Sequence, residues 1–316
     1  MKILGLITGR PNGTTELLAK QALLGAQSKG AEVELINIRS MDIRPCICCH
    51  KCHDFQNAIA GYCPIPDDVH WIVDKIFDAD GVVICCPSYE KAPPGEFKIL
   101  MDRTGPGNDV LFWKMAKKLR DENPGKYDET KPVDERAFKK RFVTFIGHGG
   151  SEWIHLMLPT MMGWCTSMGY TLADKVLIPW NFSVNESDAP LERVYKSGEY
   201  VAECCAAPDE EHPFLGDKGY CPICYNDTFV LGPGTNVSCA VCGLNGTLDI
   251  QSGEFVVNAT EHQKAMSHIL DSGRYQHYLD LSNFGERAKR VDWAHVKARD
   301  AAIQNAIKSV KKVPKE

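Results

Sequence analysis

The chain has 316 residues, of which 44% are apolar and 24% charged, with a formal net charge of -5 and a pI of about 6.1. That length suits one large α/β domain with appendages, or two domains, and the acidic balance argues against a general nucleic-acid surface, which needs clustered excess Lys and Arg. No apolar stretch approaches the roughly 20 residues of a membrane helix, and the opening apolar run stops at Arg10 and Pro11, too early for a signal peptide. The expectation is a cytoplasmic protein with no membrane partner, in whose reducing surroundings those of the 14 cysteines that cluster read as metal ligands before disulfides.

In chain order, apolar strand patterns at 2–8, 32–37, 81–86, 141–147 and 171–178 alternate with helical patterns at 15–28, 67–77, 95–103 and 154–168. This βαβα rhythm predicts a doubly wound, five-stranded parallel sheet within a domain of residues 1–200. Residues 104–140 interrupt the rhythm; their Leu111, Phe112, Trp113 and Met115 predict a lid or subunit contact, with a solvated excursion as the alternative. Residues 216–257 are rich in glycine and turn formers and predict a small metal-bound β module. Residues 258–316 have helical composition, and docking of this segment on the main domain is the simplest expectation. The basic tail KSVKKVPK, 308–315, reads as a solvated end.

The opening stretch MKILGLITGRPNGTTELLAK passes from strand through a short polar loop to helix, the order that makes an anion site. Hydroxyls at Thr8, Thr14 and Thr15, the cation Arg10 and small Gly13 suit a terminal phosphate; the alternative is ordinary capping of a helix by Thr. The GxGxxG of a dinucleotide loop is absent. After the second strand, Cys46, Cys49 and Cys52 give CxxCxxC, a spacing that lets one loop wrap three corners of a 4Fe-4S cubane, with Cys63 as the natural fourth ligand. Cys48 competes for that place, and His50 and His53 keep a zinc site open. Farther on, Cys221, Cys224, Cys239 and Cys242 form two CxxC knuckles at zinc-ribbon spacing, able to hold zinc or, in the same S4 geometry, iron. Cys85 and Cys86 read as core residues, and His148 as a structural group or a donor to a ligand.

TGRPNGTTELL, the PSY turn after the third strand, FKILMDR and IGHGG occur here in an order that resembles the NADPH-dependent FMN reductase and iron-sulfur flavoprotein family, which is flavodoxin-like. The resemblance spans about 1–178. It implies FMN as cofactor, with its phosphate on Thr8, Arg10, Asn12, Gly13, Thr14 and Thr15, and its ring beside Pro87, Ser88, Tyr89, Glu90 and Lys91. Gly147, His148, Gly149 and Gly150 would border the same ring. The iron-sulfur members look similar around Cys46 to Cys63, including the acidic pair seen here as Asp67 and Asp68. Two departures stand out: Thr8-Gly9 replaces Ser-Pro in the first loop, and Glu90, Lys91, Pro93 and Pro94 make the ring-facing loop unusual. No nucleophile elbow or paired carboxylates occur, consistent with a cofactor carrying the chemistry.

The expected function is an FMN-dependent oxidoreductase, passing electrons from NAD(P)H or a ferredoxin-like donor to a small organic acceptor such as a quinone or enone, or to a protein. Two alternatives are a flavin and iron-sulfur electron carrier without catalysis, and a zinc-ribbon interaction protein on a flavodoxin-like scaffold. A homo-oligomer is expected, because flavin sites in this fold are often completed by a second subunit.

Overall fold

A computed structural model describes residues 1–54 and 56–306; the basic tail at 308–315 lies outside the described residues. Five strands, β1 (Lys2–Ile7), β2 (Glu32–Asn37), β3 (Gly81–Pro87), β4 (Phe142–His148) and β5 (Thr171–Ile178), form one parallel sheet in the order β2-β1-β3-β4-β5. This is the doubly wound, flavodoxin-like arrangement, with the crossover between β1 and β3. Every residue of β4, and all of β3 but Pro87, is buried. Such continuous apolar strands belong in the middle of a sheet covered on both faces.

One face is covered by α1 (Thr14–Ser28) together with a helix that the sequence patterns miss, and the other carries α2 (Val69–Asp78), α3 (Gly95–Asn108) and α4 (Val110–Glu122). The helical pattern at 154–168 resolves into two short pieces, α5 (Met157–Met162) and α6 (Trp164–Met168), separated by Gly163. Beyond β5 come the short α7 (Ser183–Glu186) and the missed helix, α8 (Ala189–Ala206). The buried positions of α8 include Ser197, Gly198, Ala202 and Cys204, so small and polar residues dilute its apolar periodicity. Those small residues let α1 and α8 touch backbone to backbone: a Cβ on Gly198 would stand 1.7 Å from the carbonyl oxygen of Ala22, and one on Gly25 would stand 2.1 Å from that of Tyr195.

The insertion is not an apolar lid. Leu111, Phe112 and Trp113 are buried in the chain's own core as part of α4, with the Trp113 ring 6.2 Å from Phe77 and crowding Gly61. That apolar face is therefore taken up within the chain, whereas residues 121–140 run largely exposed, with Ala137 buried among them.

The edge strand β5 carries a bulge, with the register slipping between Val143 and Thr144 of β4, and Asp174 turned inward at 0% exposure. Arg193 of α8 pairs with both its oxygens at 2.6 and 2.7 Å. The carbonyl of the bulged Ala173 accepts from the amide of Leu215, so the incoming chain covers the edge. A four-stranded antiparallel sheet follows, β6 (Phe229–Leu231), β7 (Asn236–Cys239), β8 (Asn245–Gln251) and β9 (Glu254–Asn258). Nearly buried Lys175 of β5 ties this module to the sheet through Asp227, 2.9 Å away, and the carbonyl of Tyr225.

Residues Met1–Tyr275 form one compact unit, which includes the start of α10 (Asp271–Ser282) after the short α9 (Glu261–Ala265). Arg274 anchors that start, donating to the carbonyls of Thr166 at 2.8 Å and Cys165 at 3.1 Å. The chain from Gln276 onward forms a second unit with α11 (Phe284–Ala288) and α12 (Trp293–Ala306), in which the Trp293 indole donates to Ala288. Among the described residues no helix is long and apolar enough to cross a membrane.

The close approach of α1 and α8 gives a direct test. Gly198→Ala is expected to lower unfolding free energy by about 1–3 kcal/mol, the range for an overpacked core. Gly95→Ala, whose added Cβ meets nothing within 4 Å, should leave the denaturant midpoint nearly unchanged; equal midpoints for the two variants would refute the packing account.

Candidate functional site

Three loops leave the carboxyl ends of β1, β3 and β4 and converge on a cleft of about 300 Å³. Its lining takes Arg10, Thr14 and Thr15 from the first loop, Pro87, Ser88 and Tyr89 from the second, and His148, Gly149 and Gly150 from the third. Asn181, beyond β5, completes it; its amide donates to the carbonyl of Gly149 at 2.7 Å. No motif surrounds Asn181 in the sequence, so only the neighbourhood of the fourth and fifth strands reveals it.

The first loop reaches α1 without a side-chain cap. Gly13 holds the cap position and no side chain accepts from the first turn, so Thr14 and Thr15 lie within the helix and the leading amides are left for a ligand. A Cβ on Gly9 would stand 2.4 Å from Thr15, which is why the loop can fold so tightly over the helix start. Exposed Arg10 lies at the mouth.

The remaining expected residues do not line the cleft. Thr8 is fully buried, and its hydroxyl has no hydrogen-bond partner among the described residues. Asn12 takes the left-handed turn position at φ 56°, and its amide donates to Glu16 at 2.9 Å. Gly147 lies within β4, where a Cβ would press on Leu177 at 3.1 Å. Glu90 and Lys91 form the tip of a tight hairpin between Tyr89 and Ala92, whose amides and carbonyls bond reciprocally at 2.9 and 3.2 Å. Both tip residues have positive φ, 49° and 70°, a conformation that favours Gly and Asn, so this turn is strained beside the cleft.

His148 is 3% exposed and pairs with Thr15, Nε2 to Oγ1 at 2.8 Å, while its buried Nδ1 has no partner. Burial lowers its pKa to about 4, so the ring is neutral at physiological pH. Cys86 is fully buried at the strand end, and burial pushes its thiol up to about 12, which keeps it protonated and unreactive. Around the mouth stand large exposed rings: Tyr89 at 51%, Trp153 at 69%, Trp180 at 54% and Phe182 at 67%. Lys91 lies 5.3 Å over the Trp153 ring, and Trp180 holds a left-handed backbone at φ 55°.

The first cysteine loop is fastened to α3. The amide of Gly61 donates to the carbonyl of Gly107 at 2.7 Å, and a Cβ on Gly107 would stand 3.1 Å from that of Cys52. Burial, then the negative charges of Cys63, Cys46 and Cys49, push the Cys52 thiol up to about 11, so these four sulfurs form one electrostatic neighbourhood. Cys48 is exposed and left-handed at φ 52°, and its amide donates to the Cys46 sulfur at 3.4 Å. Among the described residues these thiols do not crowd together closely enough for one small ion. A cubane is several ångströms across and takes wider-set thiolates.

The second set does crowd. Cys221, Cys224, Cys239 and Cys242 are all buried with their sulfurs within 4.8 Å of one another, Cys221 to Cys242 at 3.6 Å and Cys224 to Cys239 at 3.5 Å. A tetrahedral ion with metal–sulfur bonds of about 2.3 Å sets sulfurs about 3.8 Å apart, so the four cysteines could hold a metal ion. Their proximity pushes the Cys224 thiol far up, first through Cys221, an opposition to full deprotonation that a cation would relieve.

Comparisons with known proteins agree with this geometry. The family model of NADPH-dependent FMN reductase matches residues 1–162. A flavone synthase of Aspergillus candidus is 28% identical over 326 aligned residues, 95% of this chain and 93% of that protein. An iron-sulfur flavoprotein of Methanocaldococcus jannaschii is 37% identical over 107 residues, 34% of this chain and 53% of its own length. A solved flavone reductase structure superposes at a TM-score of 0.84 with 28% identity, covering the whole of both chains. With its family match running from the first loop through the third, onto a cleft at the carboxyl ends of a flavodoxin-like sheet, this chain belongs to the NADPH-dependent FMN reductase family and is a flavin oxidoreductase.

Proposed function

We propose that the cleft binds FMN and that the enzyme reduces or oxidises a flat aromatic enone of the flavone kind, with NAD(P)H or a ferredoxin-like protein as the redox partner. The observation that carries this reading is the meeting of three strand-end loops over an uncapped helix N-terminus. FMN supplies both two-electron and one-electron chemistry, and the protein supplies position and electrostatics. Arg10, Thr14 and the first amides of α1 would hold the phosphate; Pro87, Ser88, Tyr89, Gly149 and Gly150 would border the ring. Neutral His148 fixes the Thr15 hydroxyl and keeps charge out of the floor of the cleft.

Support for the acceptor class comes from the exposed rings of Tyr89, Trp153, Trp180 and Phe182, which offer stacking surface to a planar substrate. The likeness to a flavone synthase and a flavone reductase, both along nearly the whole chain, supports the same choice. In the cysteine loop, the grouping of Cys46, Cys49, Cys52 and Cys63 supports a 4Fe-4S cluster that would relay single electrons. At the second set, we assign zinc in a structural role: a module of this size has too little core to stand without a metal.

The anaerobically purified protein is expected to show a flavin spectrum that bleaches on adding NADPH or a reduced ferredoxin and recovers on adding a flavone; a bleached flavin that no enone reoxidises would reject the acceptor class. Arg10→Ala should weaken FMN binding to the apoprotein by about 1.5–3 kcal/mol, the worth of a charged hydrogen bond, and leave riboflavin binding unchanged. Flavin fluorescence titration reads both.

The depressed pKa of His148 makes a pH prediction. Its folded value lies below the ordinary 6.5, so its effect is absent above about pH 6.5, and stability falls as the pH drops towards 4, where the unfolded chain binds a proton that the folded one refuses. Between pH 7 and 4.5, His148→Gln should lose about 2–3 kcal/mol less unfolding free energy than the parent; parallel losses would refute it. Cys221→Ser should release an equimolar amount of zinc on metal analysis and open 216–257 to protease, while the flavin spectrum persists.

A further inference from the structure

Arg103 and Asp67 form an ion pair whose side chains are both 0% exposed. Arg103 projects from α3, and its guanidinium grips Asp67 with two nitrogens, the carbonyl of Arg44 at 2.7 Å and the sulfur of Cys63 at 3.3 Å. Asp67 in turn accepts from the amides of Arg44 at 2.9 Å and Val69 at 3.2 Å. The pair therefore clamps the chain before Cys46 to the chain after Cys63, closing the cysteine loop at its neck. Gly107, one turn farther along α3, holds the loop at Cys52.

We propose that Arg103 is a positioning residue that selects Cys63 over Cys48 as the fourth ligand of the loop's cluster and raises the cluster's reduction potential. The proposal rests on the reading that this loop holds an iron-sulfur cluster. The selection follows from the clamp: Cys63 is half-buried with its sulfur facing a fixed donor, whereas Cys48 is exposed. The tuning follows from charge. A cluster that gains one electron becomes more negative by one unit, and a buried cation donating to a ligand sulfur stabilises that form. Asp67 offsets part of this effect, so the two members of the pair must act in opposite directions.

The test uses full-length protein reconstituted anaerobically with iron and sulfide, its cluster titrated potentiometrically by electron paramagnetic resonance. Arg103→Gln is expected to lower the midpoint potential and Asp67→Asn to raise it, with Arg103→Lys between Arg103→Gln and the parent. Breaking a buried pair leaves an uncompensated buried charge and destabilises the fold; if Arg103→Gln does not fold, Arg103→Lys, which keeps the charge but loses the fork, should still lie below the parent. Independently, Cys63→Ser should lose iron and sulfide while Cys48→Ser keeps the parental content. Potentials that do not move, or that move in the same direction in Arg103→Gln and Asp67→Asn, overturn the tuning. Retained iron in Cys63→Ser with loss in Cys48→Ser overturns the selection. A parent protein that takes up no iron and sulfide overturns both this proposal and the cluster reading, whereas a loaded parent with unmoved variants overturns this proposal alone.

Discussion

Strands β3 and β4 are covered on both faces, which leaves polar chemistry only at their ends. A parallel sheet also sends every one of its strands out through the same edge, so the loops after β1, β3 and β4 meet without any long-range signal to bring them together. The cleft is a consequence of that constraint, and α1, whose Thr14 and Thr15 line it, packs backbone to backbone on α8 farther along its length.

Two further devices extend the fold beyond the sheet. The cysteine loop is long, and it is held by a buried ion pair at its neck and by close packing on Gly107. The antiparallel module has its four sulfurs at the centre of its small core and is bound to β5 through Lys175. In each case polar groups or clustered cysteines do what a larger hydrophobic core does elsewhere. Both attach to elements that also border the cleft: α3 begins just past the turn at Tyr89, and β5 ends just before Asn181.

The rim of the cleft departs from local preference. Glu90, Lys91 and Trp180 all hold left-handed backbone, and four aromatic rings stand in solvent around them. Strain and exposed apolar surface are both unfavourable in a free molecule, and they concentrate where a flat ligand would cover them.

The five strands were readable from apolar runs because burial on both faces demands them, and the two cysteine sets from spacing because ligand geometry demands it. The first loop was readable because its strand, turn and helix are contiguous. The sequence alone thus determined the sheet, the family to which it belongs and the cysteine sets that could hold a metal. Tertiary structure alone decided that Thr8 turns inward, that Asn181 joins the cleft, and that α4 fills the core with residues that suggested a lid. It also decided that α8 is a helix at all, since its Gly198 and Ser197 gain meaning only from the neighbour they touch, and that Arg103 meets Cys63 across forty residues of chain. Local pattern records what a residue must avoid, chiefly water or strain; which partner it finds is set by packing between segments far apart in the chain.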